Sequence, residues 1–532
     1  MDAAAKVAGC FRDRTILITG STGFLGKLLV EKILRVQPGV KKLYLLVRAP
    51  DDAAAEQRVL HEIVGKELFS VLREKHGADD FQSFVKEKVS PLAGDMRREN
   101  LGLESTRAKQ LSEEIDIIVN GAATTNFNER YIHIPITAKG DLAELHTHAA
   151  CPSCRYDVAL ASNTLGTVHV CKFAKHCGHL KLLLHVSSIS IAYVTGKQKG
   201  RILEEPFQMG QMLKNGRCFD IEAELELANE VKAKLVMARS NASTPHHQQL
   251  EKVAMKELGL KRAKYFGWAN VYAFTKAMGE MLLGALREDL PVVIVRPGII
   301  TSTLQDPFPG WIEGIRTMDV VIAACYEQKL PCFIGGPILD SIPGDMVVNA
   351  TMVAMATHYD CAGTHVVYHV TSALQNPLSC NILLESMYGY LLINPHVGDD
   401  KRTIKHKRLI LFSRYGYFHA YTVLAYKTPL QVLYLANYLL HCGRITEHHS
   451  KHKRSLNHLM SLAKFYAPYV SFKGCFDDTN LRKLWGTTGA GHGDGYMFNF
   501  DTNCINWRLY LFNTHIPAVL KVAADMRKEG SA

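Results

Sequence analysis

The chain has 532 residues, of which 47% are hydrophobic and 21% are charged, and its formal net charge is +11. This composition is that of a globular protein and excludes a disordered one, and the length predicts two or three domains. The positive charge indicates an anionic partner, such as a nucleotide cofactor, a coenzyme A thioester or an anionic membrane surface. Because no nucleic-acid-binding module is found, we expect no nucleic acid among the partners.

The cysteines and the apolar stretches indicate the cellular environment in which the protein works. The thirteen cysteines are scattered and lack the density of a disulfide scaffold, so we expect reduced thiols. The first residues contain no apolar signal core and leave no room for a long transit peptide before the first predicted strand. The apolar stretch 430–440 is too short to span a bilayer. We expect it to pack as a core helix, with a position on a membrane surface as the alternative.

The chain begins with a predicted strand, a glycine-rich turn and a helix. Residues 15–19 favour a strand, and residues 27–35 have apolar positions at helical spacing. Gly20, Gly23 and Gly26 lie in the turn between them, where glycines allow a tight bend and the close approach of a pyrophosphate. The Gly-x-x-Gly-x-x-Gly spacing resembles the short-chain dehydrogenase/reductase superfamily. We therefore predict cofactor contacts from Thr19, Gly20, Thr22, Gly23, Phe24, Leu25 and Gly26.

The next predicted strand, residues 42–48, ends in Arg48. Proteins that bind NAD usually place an acidic residue about 20 positions after the glycine turn, against the ribose 2′-hydroxyl. A guanidinium at this place can instead pair with a 2′-phosphate through two parallel hydrogen bonds. The alternative is a solvated arginine at a strand end. We predict that the cofactor is NADPH.

Two further strands are predicted to end near the cofactor. Residues 89–95 form a short strand that ends in Gly-Asp, and this turn resembles the adenine-contacting turn of extended members of the superfamily. Asp95 is the predicted contact, although aspartate also begins turns for local reasons. Residues 115–123 have the apolar character of a buried strand. Asn120 and Ala122 at its end are predicted to lie near the nicotinamide ribose.

Residues 132–156 interrupt the pattern between this strand and the next predicted helix. An irregular stretch longer than about 15 residues is uncommon inside a compact domain. It contains His146, His148, Cys151 and Cys154, which are residue types that bind zinc. The stretch has little apolar framework to order them, so we predict no metal site. We interpret it as an insert, either a surface loop or a retained intron.

Candidate catalytic residues follow the insert, between residues 187 and 276. A predicted strand near residues 180–186 leads to three serines, Ser187, Ser188 and Ser190, of which we choose Ser188 to orient a carbonyl group. Solvated turn serines are the alternative. Tyr272 and Lys276 are four residues apart and share one face of a predicted helix. An ammonium there would lower the pKa of the phenol.

A last predicted strand of this region ends at Pro297, which we include among the cofactor contacts. Beyond about residue 375 the alternation of strands and helices is replaced by helical patterns and basic clusters. A charge cluster is usually a solvated face; contact with anionic lipid or with the phosphates of coenzyme A is the second interpretation.

Together the motifs resemble the plant alcohol-forming fatty acyl-CoA reductases. The resemblance covers nearly the whole chain and is carried by residues 19–26, 30–38, 272–280 and 307–313, and by residues 476–480 and 504–507, which are similar to the male sterility domain of that family. It implies an α/β fold, in which a Rossmann-type doubly wound parallel sheet with a substrate-binding extension occupies residues 1–375. It also implies a mainly helical C-terminal domain over residues 376–532.

The resemblance further implies two NADPH-dependent reductions of a long-chain fatty acyl-CoA to a primary alcohol, for wax, cuticle, suberin or pollen-wall lipid. Tyr272 would donate the proton, Ser188 would orient the carbonyl, and Lys276 would lower the pKa of the tyrosine and hold the ribose. No cysteine acyl-enzyme is required. Family members act at the endoplasmic reticulum or in plastids, and we expect a peripheral position on the cytosolic face of the former. The oligomeric state stays open.

Two alternatives remain at this stage. One is an extended short-chain reductase or epimerase acting on a different carbonyl substrate, against which the C-terminal helical region argues. The other is a splice variant or allele, impaired by the insert 132–156, that only binds cofactor. Thermal stabilisation by NADPH without turnover would distinguish that second alternative.

Overall fold

The computed structural model describes residues 3–124, 154–193, 199–212, 219–237, 244–327, 330–395, 407–439, 446–488 and 497–531. The strands are β1 (Thr15–Thr19), β2 (Lys42–Val47), β3 (Val89–Ala93), β4 (Ile117–Asn120), β5 (Leu182–Val186), β6 (Lys199–Ile202), β7 (Val292–Pro297), β8 (Ile299–Thr301), β9 (Cys332–Ile334), β10 (Ser341–Pro343), β11 (His365–Val370), β12 (Ile410–Phe412) and β13 (Lys473–Phe476).

The α-helices alternate with these strands in the first part of the chain and dominate the second. They are α1 (Ala3–Gly9), α2 (Phe24–Val36), α3 (Asp52–Val59), α4 (Ser70–His76), α5 (Ala78–Lys88), α6 (Ser105–Ser112), α7 (Tyr156–Ala159), α8 (Gly166–His176), α9 (Ile221–Met237), α10 (Thr244–Phe266), α11 (Val271–Leu286), α12 (Met318–Tyr326), α13 (Gly344–His358), α14 (Cys380–Ile393), α15 (Tyr415–Thr422), α16 (Thr428–Leu439), α17 (Thr446–Val470), α18 (Thr479–Thr487), α19 (Trp507–Tyr510) and α20 (Ile516–Ser531).

Within the described residues, seven strands form one parallel sheet in the order β11-β7-β5-β4-β1-β2-β3. Both faces of the sheet are buried, and successive residues of a strand point to opposite faces. Ile16 and Ile18 belong to the hydrophobic core on one face, together with Val347 of α13. Leu17 belongs to a second core, together with Val170 of α8. Strands buried on both sides must be apolar throughout, which confirms the predicted α/β doubly wound fold.

The strand order reverses between β1 and β4. From β1 the sheet grows through β2 to β3 in one direction, and from β4 through β5, β7 and β11 in the other. In such sheets a ligand binds in the crevice at the carboxyl ends of the strands on either side of the reversal. The predicted site residues lie at or just after these carboxyl ends: Gly20, Arg48, Asp95, Asn120, Ala122, Ser188 and Pro297.

The part of the chain beyond residue 375 is mainly helical and packs onto the first part. It also supplies strands to it, since β12 pairs with β9 and β13 pairs with β6, both in parallel. Side chains of both parts share the largest hydrophobic core, for example Phe418 and Leu511 with Met352. The two parts are therefore joined by backbone pairing as well as by apolar packing.

Helix α16, which contains most of the apolar stretch 430–440, does not pack as a core helix. Val432, Leu433 and Leu435 are 61%, 58% and 57% exposed. The expectation of core packing was wrong because apolar composition alone does not say whether a partner element covers a helix. None of the helices in the described ranges is long and apolar enough to cross a membrane.

Candidate functional site

The glycine turn between β1 and α2 is the backbone part of the site. Gly20 has a φ of +74°, and a Cβ atom there would lie 2.6 Å from the backbone nitrogen of Ala122. A Cβ atom at Gly26 would lie 2.3 Å from the carbonyl oxygen of Gly20. Gly23 precedes the first turn of α2. The turn thus brings unobstructed backbone N–H groups to the N-terminus of a helix, an arrangement that binds phosphate.

Side chains around this turn tie the two central strands together. The hydroxyl of Thr19 donates a hydrogen bond to Oδ1 of Asn120 at 2.9 Å and accepts one from the backbone of Ala122 at 3.2 Å. Nδ2 of Asn120 lies 3.0 Å from Nδ1 of the buried His185. Burial, and the charges of Lys276 and Arg296, hold the pKa of His185 well below its usual value. Asn120 therefore uses its side chain inside the sheet, and Thr19 sets the shape of the turn.

Phe24 is part of the motif, but its ring does not face the crevice. It stacks on Trp311 with ring centroids 5.0 Å apart, and a Cβ atom at Gly344 would lie 2.8 Å from it. Phe24 is buried, whereas Thr22 and Leu25 are partly exposed. The phenylalanine therefore anchors the start of α2 to the loop that follows β8, and a ligand in the crevice would meet its backbone only.

Arg48 and Asp95 lie at neighbouring strand ends. Arg48 is exposed directly after β2, and its carbonyl oxygen accepts a hydrogen bond of 2.7 Å from Arg58. The carboxylate of Asp95 accepts hydrogen bonds from the backbone and the guanidinium of Arg97. Burial raises the pKa of Asp95, but these bonds and the charge of Arg48 outweigh burial and lower it. The carboxylate of Asp95 thus binds within its own turn, as an aspartate that begins a turn for local reasons would.

The three predicted catalytic residues come together at the carboxyl end of β5. Helix α11 places Tyr272 and Lys276 one turn apart, and the Ser188 hydroxyl is hydrogen-bonded to Tyr272. Ser188 Oγ also lies 2.8 Å from Ser190 Oγ. The hydroxyl of Ser187 is buried and finds no hydrogen-bond partner within the described part of the chain. Of the three serines, the structure therefore brings Ser188 to the tyrosine.

Burial dominates the electrostatics of this group. It raises the pKa of Tyr272 to about 12, opposed in part by the hydrogen bond with Ser188. It lowers the pKa of Lys276 to about 8, opposed in part by the charge of Glu280. The ammonium of Lys276 donates a hydrogen bond of 2.8 Å to the carbonyl oxygen of Val186. The net shift of the Tyr272 pKa is therefore upward, opposite to the expected direction, and Lys276 is not among the groups that shift it.

Asn163 is a buried residue to which the sequence analysis gave no role. Its Oδ1 accepts a hydrogen bond from the backbone of Thr124 and its Nδ2 donates one to Oγ1 of Thr275, both at 3.0 Å. It thereby joins the segment after β4 to the helix that carries Tyr272. Because its neighbours Ser162 and Thr164 are polar as well, no local pattern distinguished it.

Two further tyrosines, Tyr193 and Tyr469, also lie beside the site. Asn270 caps α11, since its Oδ1 accepts the backbone N–H of Ala273 at 2.8 Å, and its Nδ2 donates to the hydroxyl of Tyr469. The Tyr469 ring contacts that of Tyr193 edge-on, with centroids 5.0 Å apart. Because Tyr469 lies about 200 positions after the catalytic helix, no local pattern could have indicated it.

The predicted insert 132–156 lies only partly within the described residues. Across the described ranges, no group of three or more His, Cys, Asp or Glu residues could hold a metal ion. His146, His148 and Cys151 lie outside those ranges. Tyr156, at the end of the predicted insert, is buried in α7 and donates a hydrogen bond of 2.8 Å to Glu224. The last residues of 132–156 therefore belong to the core.

The parallel sheet, the glycine turn at its reversal point and the Ser–Tyr–Lys group define a reductase of the extended short-chain type that binds a nicotinamide cofactor. Solved structures support the fold. The terminal R domain of the myxalamid biosynthetic pathway superposes with a TM-score of 0.53 at 18% identity, covering 98% of this chain and 92% of that one. The reductase domain of a nonribosomal peptide synthetase from Mycobacterium tuberculosis superposes with a TM-score of 0.51, also at 18% identity, covering 99% and 96%.

Sequence comparisons identify the family. The family model of the NAD-binding domain described as "Male sterility protein" matches residues 18–137 and 150–351, and a second model of that description matches residues 430–524. The alcohol-forming fatty acyl-CoA reductase of Simmondsia chinensis is 41% identical, over 98% of this chain and 99% of its own length. Fatty acyl-CoA reductase 1 of Arabidopsis thaliana is 42% identical, over 96% and 97%. The chain belongs to the fatty acyl-CoA reductase family, which confirms the resemblance.

Proposed function

We propose that this enzyme reduces a long-chain fatty acyl-CoA to a primary alcohol, consuming two NADPH and two protons and releasing coenzyme A. The alcohol would serve wax, cuticle, suberin or pollen-wall lipid. The observation that carries the proposal is the hydrogen-bonded pair of Ser188 and Tyr272, with Lys276 one turn away, at the crevice where the glycine turn lies. The similarity to the reductase named alcohol-forming supports the choice of product.

The residues at the crevice fit a dinucleotide, because glycine at positions 20 and 26 lets the turn pack closely against the end of β4 and against itself, which keeps the N-terminus of α2 at the crevice. When bound, the cofactor supplies a hydride to the carbonyl carbon. Tyr272, protonated at neutral pH, donates its proton to the carbonyl oxygen as negative charge develops there, and Ser188 hydrogen-bonds the same oxygen. The ammonium of Lys276, which lies one turn from Tyr272 and donates to the carbonyl oxygen of Val186, would hold the nicotinamide ribose.

The reaction proceeds in two stages at the same groups. The first reduction gives a hemithioacetal, whose C–S bond breaks to release the coenzyme A thiol and leave an aldehyde. Tyr272 regains a proton from solvent before the second stage, in which hydride adds to the aldehyde carbon and the Tyr272 proton adds to its oxygen, giving the alcohol. Neither stage requires a covalent bond to the protein.

The proposal is tested by expressing the chain in yeast and measuring fatty alcohols by gas chromatography. A companion variant omits residues 138–149, the segment that the family model skips and that lies inside the predicted insert. This deletion spares Tyr156, which the core requires. Alcohols from both versions would establish the activity and a tolerated insert. Alcohols from the shortened version alone would mark this chain as an impaired form, and soluble protein without alcohols in either case would indicate a different carbonyl substrate.

The preference for NADPH is proposed from Arg48. We expect Arg48→Gln to raise KM for NADPH by about 10- to 100-fold, because a charged hydrogen-bonding partner of the 2′-phosphate is lost. KM for NADH should change little, since NADH lacks that phosphate, and it serves as the internal control. Steady-state kinetics with NADPH and with NADH measure the two KM values in the wild type and in the variant. An equal change in KM for NADPH and for NADH would contradict the assignment of Arg48 to the 2′-phosphate.

The alkaline limb of the pH–rate profile is expected to belong to Lys276. Its pKa is lowered to about 8, so it is an ammonium below that pH and is neutral above it, whereas Tyr272, with a pKa of about 12, stays protonated. The turnover rate at saturating cofactor should therefore fall as pH rises through about 8, by up to tenfold per pH unit. A rate that stays constant up to about pH 10 would exclude the charge of Lys276 from the reaction.

We also propose a peripheral position on the cytosolic face of the endoplasmic reticulum. Long-chain acyl substrates and alcohols partition into membranes, and α16 exposes apolar side chains to the surroundings. A fluorescent fusion followed by microscopy, with alkaline extraction of the microsomal fraction, tests this. Plastid fluorescence would support the alternative compartment.

A further inference from the structure

The catalytic helix α11 carries a further charged side chain on the face that holds Tyr272 and Lys276. Glu280 lies one turn beyond Lys276, so that the three residues are spaced at intervals of four. Glu280 is buried, as Lys276 is. Because a buried carboxylate is costly unless it is paired, its partner and its purpose beside the catalytic lysine both need an account.

The partner of Glu280 is Arg296, near the end of β7. Nε of Arg296 donates a hydrogen bond to Oε2 of Glu280 at 3.2 Å, and Nη2 of Arg296 donates to Oε1. Both side chains are buried. A two-point pair between a guanidinium and a carboxylate fixes the position of the carboxylate as well as balancing its charge.

The other donors of Arg296 are also used. Its Nη1 lies 3.1 Å from Nε2 of His369 on β11, and its Nη2 donates to the carbonyl oxygen of Glu205 at 2.9 Å. Nδ1 of His369 lies 2.9 Å from the carbonyl oxygen of Asp477, so Nδ1 carries the proton and Nε2 accepts from Arg296. Burial lowers the pKa of His369 to about 3, so this ring is neutral. Arg296 therefore cannot turn away from Glu280 without losing these bonds.

Within the described part of the chain, the titratable groups around Lys276 differ in charge. His185 on β5 is neutral, because burial and the charges of Lys276 and Arg296 hold its pKa well below its usual value. Tyr272 is protonated, since its pKa is raised to about 12. Glu280 is the anion that opposes the effect of burial on the pKa of Lys276.

We propose that Glu280 is a positioning residue, whose carboxylate, held by Arg296, keeps Lys276 in the ammonium form that contacts the cofactor. The inference rests on the proposed function, in which that ammonium holds the nicotinamide ribose. A buried lysine without a nearby anion gives up its proton at a lower pH. Glu280 thus acts on the reaction through Lys276.

The first test is the pH dependence of kcat in Glu280→Gln. The substitution preserves the size of the side chain and removes its charge. The pKa of Lys276 is about 8 in the wild type, and loss of the anion lowers it further. The alkaline limb should therefore move to lower pH by at least about one pH unit. The rates of variant and wild type should converge toward about pH 6, where Lys276 is charged in both.

The second test is the dissociation constant of NADPH, measured without substrate by fluorescence quenching between about pH 6 and pH 9. Wild-type affinity should weaken as pH rises through about 8, and that of Glu280→Gln should weaken at least about one pH unit earlier. This measurement needs no turnover. If the wild type forms no alcohol, the proposed function fails, and the binding measurement still decides the role of Glu280.

Glu224→Gln is the matched control. Glu224 lies on α9, is buried, and pairs with Arg262 while accepting a hydrogen bond from Tyr156. The same chemical change is therefore made in a second buried glutamate–arginine pair. Both variants should melt below the wild-type temperature, but Glu224→Gln should retain the alkaline limb near pH 8. An equal shift in both variants would attribute the effect to a loosened fold and overturn the proposal.

Two further variants cover the case in which Glu280→Gln does not fold, since it leaves the buried Arg296 without a counter-charge. Glu280→Gln/Arg296→Gln removes both charges and should still shift the alkaline limb downward, because the anion beside Lys276 is absent. Glu280→Asp keeps that charge and should hold the limb within about half a pH unit of the wild type. An unchanged limb and unchanged pH dependence of NADPH binding in a folded variant that lacks the carboxylate would overturn the proposal.

Discussion

Tyr272→Phe is expected to lower kcat by about 10²- to 10⁴-fold, because the side chain that donates the proton loses its hydroxyl and nothing else. The ring remains to fill its place on α11, so the fold and the glycine turn should be unaffected. NADPH binding, measured by quenching of protein fluorescence, should stay within about threefold of the wild type. Rates of cofactor oxidation with an acyl-CoA substrate measure the loss.

Tyr265→Phe is the control for this substitution. Tyr265 lies near the end of α10, is 62% exposed and loses the same hydroxyl group. Ser188→Ala should show a smaller loss than Tyr272→Phe, since it removes the orienting hydroxyl but not the proton. If Tyr272→Phe were as active as Tyr265→Phe, the catalytic assignment would have to move to another group.

Gly20→Ala is expected to lower the free energy of unfolding by about 2–5 kcal/mol and to abolish cofactor binding. The new Cβ atom would lie 2.6 Å from backbone atoms of Gly121 and Ala122, and the φ of +74° is unfavourable for alanine. Both strand ends that form the crevice would have to move apart. Chemical denaturation measures the stability, and fluorescence titration measures the binding.

Gly178→Ala provides the comparison within the same sheet-flanking region. A Cβ atom at Gly178 would have no atom within 4 Å, and its φ is not positive. We expect a change in the free energy of unfolding within about 0.5 kcal/mol and normal cofactor affinity. A Gly20→Ala protein that bound NADPH normally would show that the crevice is not the cofactor site.

Features confined to one element or one turn could be predicted from the sequence. The strand before Gly20, the helix after it and the spacing of Tyr272 and Lys276 depend only on residues close together in the chain. The observed α2, Phe24–Val36, contains the predicted helical residues 27–35. The site assignments for Arg48 and Asp95 stay predictions, although the structure places both at strand ends beside the crevice.

Features that depend on which elements meet could not be predicted in this way. Three serines follow β5, and only packing of α11 against that strand end brings Ser188, and not its neighbours, to Tyr272. The direction of the Lys276 ammonium toward the carbonyl oxygen of Val186 is likewise a result of burial. The exposure of α16 shows the same limit, because its apolar composition would suit a core equally well.

The α/β class, the glycine turn and the family follow from the sequence alone, since they depend on short motifs and on the alternation of apolar strands and helices. Packing is needed to place one serine beside the tyrosine, to shift the pKa values of Tyr272 and Lys276, and to bring Tyr469 to Asn270. Burial and hydrogen-bond partners arise from contacts between residues far apart in the chain, such as Asn270 and Tyr469, which are 199 positions apart. Such contacts exist only once the sheet and the C-terminal helices have packed together.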